Sequence, residues 1–196
     1  MPTTRALTPA DLPDAALMVA RAFFDDPGWI WLFPDTATRL AKTAAVVQTL
    51  TEVVYLPHGV SSILDDRGAV AIWQPPGHVT PSPLSLPSIA RRLLPVFGAS
   101  VLGAARAGLR IESRRPKTPH HYLYTLAVDP ERQGQGLGRV ILEPGFARSR
   151  ADGLPCWLES SNPRNHSFYR KVGFEPQGTL SLGGDASITF FRRPPG

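Results

Sequence analysis

Cysteine is almost missing from this chain: Cys156 stands alone among 196 residues. A lone thiol excludes an internal disulfide and any zinc site built on cysteine. It falls in a strand-like segment, where a buried, inert thiol is expected rather than a nucleophile. Lysine is scarce as well, with only Lys42, Lys117 and Lys171 against a much larger set of arginines. No uninterrupted apolar run is long enough to cross a membrane, so no membrane partner is expected. The opening MPTTRALTPADLPD lacks the basic-then-apolar pattern of a leader, which predicts a cytoplasmic protein. The histidines offer no metal set: His120 and His121 are strand neighbours facing opposite ways, and His58, His78 and His166 lack ligand spacing. The charges behind the net +5 do not gather into a basic stripe interleaved with stacking aromatics. Arg91-Arg92, Arg114-Arg115 with Lys117, and Arg192-Arg193 are only short groups, so no nucleic-acid partner is expected and an anionic small ligand accounts for the basic excess.

What the chain does have is concentrated in HYLYTLAVDPERQGQGLGR, residues 121–139. Tyr122 to Val128 is a β-branched and aromatic run that predicts a buried strand. Asp129-Pro130 stops it, and Glu131-Arg132-Gln133 forms a polar loop. Gly134, Gly136 and Gly138 then alternate just where Leu137, Val140, Ile141 and Phe146 begin a helical period. A helix N-terminus presents free N–H groups and partial positive charge, and glycine lets the backbone approach a diphosphate closely. The loop is therefore read as a pyrophosphate cradle. A nucleotide-triphosphate loop would need Gly-Lys-Ser/Thr, but Arg139-Val140 follows the last glycine. A dinucleotide fingerprint starting at Gly134 or Gly136 would need glycine at 139 or 141, where Arg139 and Ile141 stand. A glycine-rich turn without a ligand is the plain alternative.

Around this stretch the pattern predicts a mixed α/β sheet. Residues 3–7 suit a short edge strand, Ala10 to Phe24 and Thr38 to Leu56 suit helices, and strands over 59–65 and 69–74 flank a hairpin turn at Asp65-Asp66-Arg67-Gly68. The aromatic segment Phe23 to Pro34 reads as an apolar loop, either a plug on the core or a lid over an organic acceptor. Pro75 to Pro87 should be irregular, and Ser88 to Arg115 should be an arginine-bearing helix broken near Pro95–Gly98, an excursion between the two sheet halves. Val140 to Ala151 continues the helix after the glycines, with a kink expected at Pro144. Pro155 to Ser160 is a strand parallel to the central one, Asn162 to Val172 a short helix closed by Gly173, and a final hairpin turns at Gly183-Gly184. The length fits one domain over residues 1–196.

The pattern Q-x-x-G-x-G at Gln133, Gly136 and Gly138 resembles the acetyl-CoA loop of the GNAT superfamily of N-acetyltransferases. A second motif strengthens the resemblance: Ser160 to Phe174 carries Asn162, Tyr169 and Gly173-Phe174 in the order in which that superfamily places an Asn-led helix, a tyrosine and a Gly-Phe. Val70–Trp73, Arg115-Pro116-Lys117 and Pro163-Arg164-Asn165 add a narrower resemblance, to the puromycin N-acetyltransferase group. The resemblance implies a GNAT-type mixed sheet of about seven strands with a helical insert between its halves. It also implies acetyl-CoA as cosubstrate, no metal, and direct acetyl transfer to a primary amine in a ternary complex. The alanine, proline and arginine bias fits a GC-rich bacterial genome, and the oligomeric state, a homodimer included, is left open.

On this reading Tyr169 protonates the leaving thiolate. Glu159 is the base candidate, with His120 the alternative and Tyr122 and Tyr124 relaying a proton through water. Main-chain groups of Leu126 and Val128 pair with the pantetheine arm and stabilise the developing oxyanion. The N–H groups of Gln133, Gly134, Gln135, Gly136, Leu137 and Gly138 hold the pyrophosphate, Asn165 meets the pantetheine, and Arg132 or Arg139 meets the adenosine phosphate. Phe24, Trp29, Trp31 and Tyr122 are expected to contact the acceptor. Two other functions fit the same residues: a protein or peptide N-terminal acetyltransferase, with Asp25-Asp26 meeting the peptide amine, and a CoA-binding module without catalysis.

Overall fold

The computed structural model describes residues 2–78 and 82–196. A seven-stranded sheet runs β1-β2-β3-β4-β5-β7-β6. Its strands are β1 (Thr4–Ala6), β2 (Ser62–Leu64), β3 (Ala69–Gln74), β4 (His121–Val128), β5 (Cys156–Ser160), β6 (Glu175–Gly183) and β7 (Ala186–Arg193). All neighbouring pairs are antiparallel except β4 and β5, which lie parallel and are joined through a helix, as a crossover requires. This is the mixed α/β architecture that the strand and helix pattern predicts.

Each face of the sheet carries its own core. On one side α1 (Leu12–Ala22) and α3 (Thr36–Leu50) bring Val19 and Val47 against Ile63, Val70, Ile72, Tyr122 and Trp157. On the other, α6 (Leu137–Asp152) and α7 (His166–Lys171) pack with Trp73, Leu123, Leu158 and Phe191 around Ile141, Phe146 and Tyr169. A Cβ at Gly145 would come within 2.3 Å of the Trp73 indole, so glycine there sets how closely α6 lies on β3. Cys156 is fully buried, with its thiol pushed up by burial, and is the inert core thiol expected.

Three elements differ from the sequence reading. The aromatic segment contains a helix, α2 (Pro27–Leu32), because the Asp26 carboxylate caps the N–H groups of Gly28 and Trp29 and Pro27 occupies the first turn. The second helix begins at Thr36, under an Asp35 cap, and passes into a π-turn over Thr51–Tyr55. The excursion is two helices, α4 (Leu86–Phe97) and α5 (Val101–Glu112), whose break at Gly98 (φ 51°, ψ −125°) falls within the expected Pro95–Gly98 stretch; the difference is in the bounds and in Pro95, which stays inside α4. The irregular stretch expected over 75–87 includes 79–81, which lie outside the described residues.

The excursion also corrects the expectation about membrane-length segments. The helical stretch Pro83–Glu112 is long and apolar enough to cross a membrane by length and composition. Leu84, Leu86, Leu94, Leu102 and Leu109 are all exposed along it. Arg91, Arg92, Arg106 and Arg110 interrupt the apolar run, which is why a search for unbroken apolar residues passes over it.

Candidate active site

The site is built where β4 and β5 part. Their parallel pairing runs His121↔Cys156, Tyr122↔Trp157, Leu123↔Leu158 and ends there. On the other edge of β4, Leu123 pairs with Trp73 and Thr125 with Ile72, so Tyr124 bulges out of the ladder. The bulge interrupts the strict alternation: Tyr122 and Ala127 point into the α1/α3 core, while Leu123, Leu126 and Val128 pack with the α6/α7 core. Residues 125–128 keep β3 as their partner, and their β5-facing edge carries no strand pairing. An unpaired edge of this kind accepts an extended ligand as a further strand.

Just beyond lies the glycine loop. Gly134 and Gly136 both take φ +79°, and a Cβ on either would point into open space. The left-handed backbone there is what glycine supplies and an L side chain resists. Gly136 caps α6. Gln133 to Gly136 are exposed, and among the described residues no acceptor is paired with the N–H of Gly134, Gln135 or Gly136. Leu137 and Gly138 open the helix, where N–H groups have no intrahelical partner. A Cβ at Gly138 would stand 3.1 Å from the Phe168 ring, so this glycine holds α7 close to the loop. The cradle fits a diphosphate: outward amides, a helix dipole and no covering side chain. Arg139 is exposed and lines a surface hollow with Gly136, whereas Arg132 is tied to Asp66 at 2.9 Å in the β2–β3 turn.

Between the separated strands a cavity of about 100 Å³ is lined by Phe23, Asp26, Trp29, Tyr124, Glu159 and Tyr169, among others. Tyr169 is held by edge contacts with Phe168 and Phe174 and is 7% exposed. Burial, and after it the charge of Asp26, pushes its phenol well above the usual range, so it stays protonated. Leu126 and Asn165 line the same cavity. Tyr124 stacks on Tyr55 with ring centroids 4.2 Å apart.

Glu159 is committed to neighbours. It accepts from Arg115 Nε at 2.8 Å, from the Tyr122 hydroxyl at 2.6 Å and from Trp157 Nε1 at 3.2 Å. Arg115 also donates to Tyr122 at 2.6 Å and to Glu112 at 2.8 Å. Tyr122 is thus buried behind Glu159, outside the cavity lining. His120 lines a separate cavity with Arg115 and Lys117, and its Nδ1 lies 2.8 Å from the Thr118 carbonyl.

Of the aromatics expected around the acceptor, Trp29 lines the cavity. Phe24 is turned under the Arg39 guanidinium, 5.1 Å from its ring, and Phe23 takes its place. Trp31 sits near Gly103 of α5 and Gly183 of the β6–β7 hairpin. Sequence reasoning included Phe23 only within the aromatic segment, and missed Ser160, Ser161 and the hub role of Arg115. It considered Asp26 only as a possible peptide contact, although Asp-Pro before an apolar run is itself a helix-start signal that would have placed α2.

Residues 90–174 match the acetyltransferase (GNAT) family. An uncharacterized N-acetyltransferase of Schizosaccharomyces pombe, C550.08, is 26% identical over 189 residues, covering 89% of this chain and 75% of that protein. A mycothiol acetyltransferase of Thermobifida fusca is 39% identical over 56 residues, 27% of this chain and 17% of its own. The solved structure of histone acetyltransferase HPA2 and related acetyltransferase from Corynebacterium glutamicum superposes with a TM-score of 0.72 and 25% identity, covering 100% of this chain and 97% of that one.

Proposed function

We propose, from the premise that this chain is an N-acetyltransferase of the GNAT type, that it moves an acetyl group from acetyl-CoA directly to the primary amine of a small molecule. The observation that carries the reading is an open amide cradle at Gly134–Gly138 and a Tyr169-lined cavity where β4 and β5 separate, linked through Phe168, whose ring lies close to Gly138 and edge-on to Tyr169. The cavity's size and its Phe23 and Trp29 walls support a compact, partly aromatic acceptor. The narrower resemblance to the puromycin N-acetyltransferase group supports the same choice. The similarity to a histone acetyltransferase structure favours a second reading, a protein or peptide acceptor.

When bound, acetyl-CoA supplies an activated acetyl carbonyl and a thiol leaving group. The N–H groups of 134–138 hold its diphosphate, Arg139 meets the adenosine phosphate, and the free edge of β4 at Leu126 and Val128 pairs with the pantetheine arm. Asn165 orients that arm from the start of α7. A main-chain N–H at Leu126 stabilises negative charge developing on the acetyl oxygen. Tyr169 delivers its proton to the departing sulfur and recovers one from the amide nitrogen. Glu159, paired with Arg115, and Tyr124 form the polar wall along which a proton relays to water. The enzyme works in this scheme as one unit over residues 1–196, in the cytoplasm.

Turnover of acetyl-CoA, followed by thiol release over a panel of small amines including puromycin and over N-terminal peptides, tests the reading. Release with small amines alone is expected. Release with peptides alone establishes the second reading, and cofactor binding without turnover on any amine removes both.

A further inference from the structure

Asp26 is the charged wall of the cavity that no cation matches among the described residues. Its side chain is 4% exposed. Its Oδ1 is saturated: Gly28 N donates at 2.9 Å, Trp29 N at 3.4 Å, and the Ser161 hydroxyl donates as well. Its Oδ2 has no partner among the described residues, and no arginine, lysine or histidine forms an ion pair with it. Across the same cavity the Tyr169 hydroxyl is likewise without a hydrogen-bond partner, on a side chain 7% exposed. Neither atom is fully closed off, so both face the cavity, and a largely buried carboxylate without a counter-ion marks a place for a ligand to complete.

We propose that Asp26 forms an ammonium subsite: Oδ2 receives the R–NH3+ group of the acceptor and takes one of its protons. The step is a proton transfer only. The ammonium N–H bond breaks, a carboxyl O–H forms, and the products are neutral R–NH2 and protonated Asp26, which later loses its proton to solvent. Burial pushes the Asp26 carboxyl above the usual range, with the Ser161 hydroxyl and the two backbone N–H groups pulling partly back, so it is a better proton acceptor than an exposed aspartate. The other titratable groups facing this cavity are Tyr124 on β4, Glu159 on β5 and Tyr169 on α7. Glu159 is already matched by Arg115, and Asp25, next in the chain, is exposed. The negative charge left for a cation is therefore that of Asp26. The acceptor class follows: a primary amine that is cationic in solution and carries an apolar or aromatic group for Phe23 and Trp29.

This subsite rests on the acetyltransferase reading, and the test separates the two. Asp26→Asn keeps an amide oxygen to cap Gly28 and Trp29 while removing the charge. Calorimetry of the cofactor-free protein uses phenethylamine and its uncharged analogue 2-phenylethanol as probes, with acetyl-CoA titrated separately. Wild type is expected to bind phenethylamine saturably and at least tenfold more tightly than the alcohol. Asp26→Asn should lose that preference while binding acetyl-CoA as wild type does. Phenethylamine binding within twofold of wild type in Asp26→Asn, or no saturable amine binding by wild type, overturns the subsite. Failure of wild type to bind acetyl-CoA strikes the underlying reading instead.

A second measurement reads the carboxyl through stability. Because the folded-state carboxyl titrates above an ordinary aspartate, its protonated form adds stability at low pH that is lost as pH rises through the raised value. The thermal midpoint of wild type should therefore fall relative to Asp26→Asn over that rise, and saturating phenethylamine should lessen the fall. Parallel curves for the two proteins contradict the proposal.

Discussion

Single side chains divide into those that do chemistry and those that hold the others in place. On the proposed mechanism Tyr169 belongs to the first group, and Tyr169→Phe removes only the hydroxyl from an otherwise apolar nest. Turnover should drop by about 100-fold or more, a typical size for losing a positioned acid, with acetyl-CoA affinity kept. Steady-state kinetics beside a binding titration checks this, and unchanged turnover removes Tyr169 from the mechanism. Arg115 belongs to the second group. It ties Glu159, Tyr122 and Glu112 together, and its side chain is only 15% exposed against 9% for Glu159. Arg115→Met strands a buried carboxylate, so unfolding in urea should show a loss of about 3 kcal/mol. A loss below about 1 kcal/mol would mean that water replaces the guanidinium. Tyr169 could be picked from the sequence because motif spacing marks it, and Glu159 because it ends a predicted strand. Arg115 could not be assigned its role, since it lies 44 residues from Glu159 and only the fold brings them together.

At the scale of elements, local chemistry fixes some features and close approach fixes others. The cap at Asp26 and the turn at Gly136 are written in neighbouring residues, whereas the bulge at Tyr124 appears only when β4 is laid against β3. A period-two reading of β4 therefore assigns 122 and 124 correctly to one face and loses the faces after 124. Gly145 is a similar case: inside a helix its glycine looks merely unfavourable until Trp73 is seen pressed against it. Gly145→Ala places a methyl group in the indole's space. We expect a cost of about 1–3 kcal/mol and a lower thermal midpoint, even though alanine is the better helix former. A raised midpoint would show that α6 can shift away from β3. By contrast, exchanging Leu102 and Leu109 for glutamine on the exposed side of α5 should change the midpoint little, since neither side chain contributes to a buried core.

Over the whole molecule, strand order is the decisive fact. Placing β4 and β5 side by side and parallel in the middle of the sheet leaves a gap where they diverge, walled in part by Asp26 and Trp29 at the start of α2. The strand and helix succession let this topology be read from sequence, because a strand–helix–strand crossover has one common outcome. The cavity was harder to read: it is assembled from the end of α1, α2, β4, β5 and α7, far apart in the chain and bound by no common motif. The account stands on the amides of 134–138 as the grip on the cofactor. Isothermal titration of the wild type and of Gly136→Ala with acetyl-CoA tests that grip, since alanine resists the left-handed turn by about 1 kcal/mol or more. One saturable site in wild type, weakened at least fivefold by the substitution, is the predicted result; no binding, or equal binding by both proteins, contradicts it.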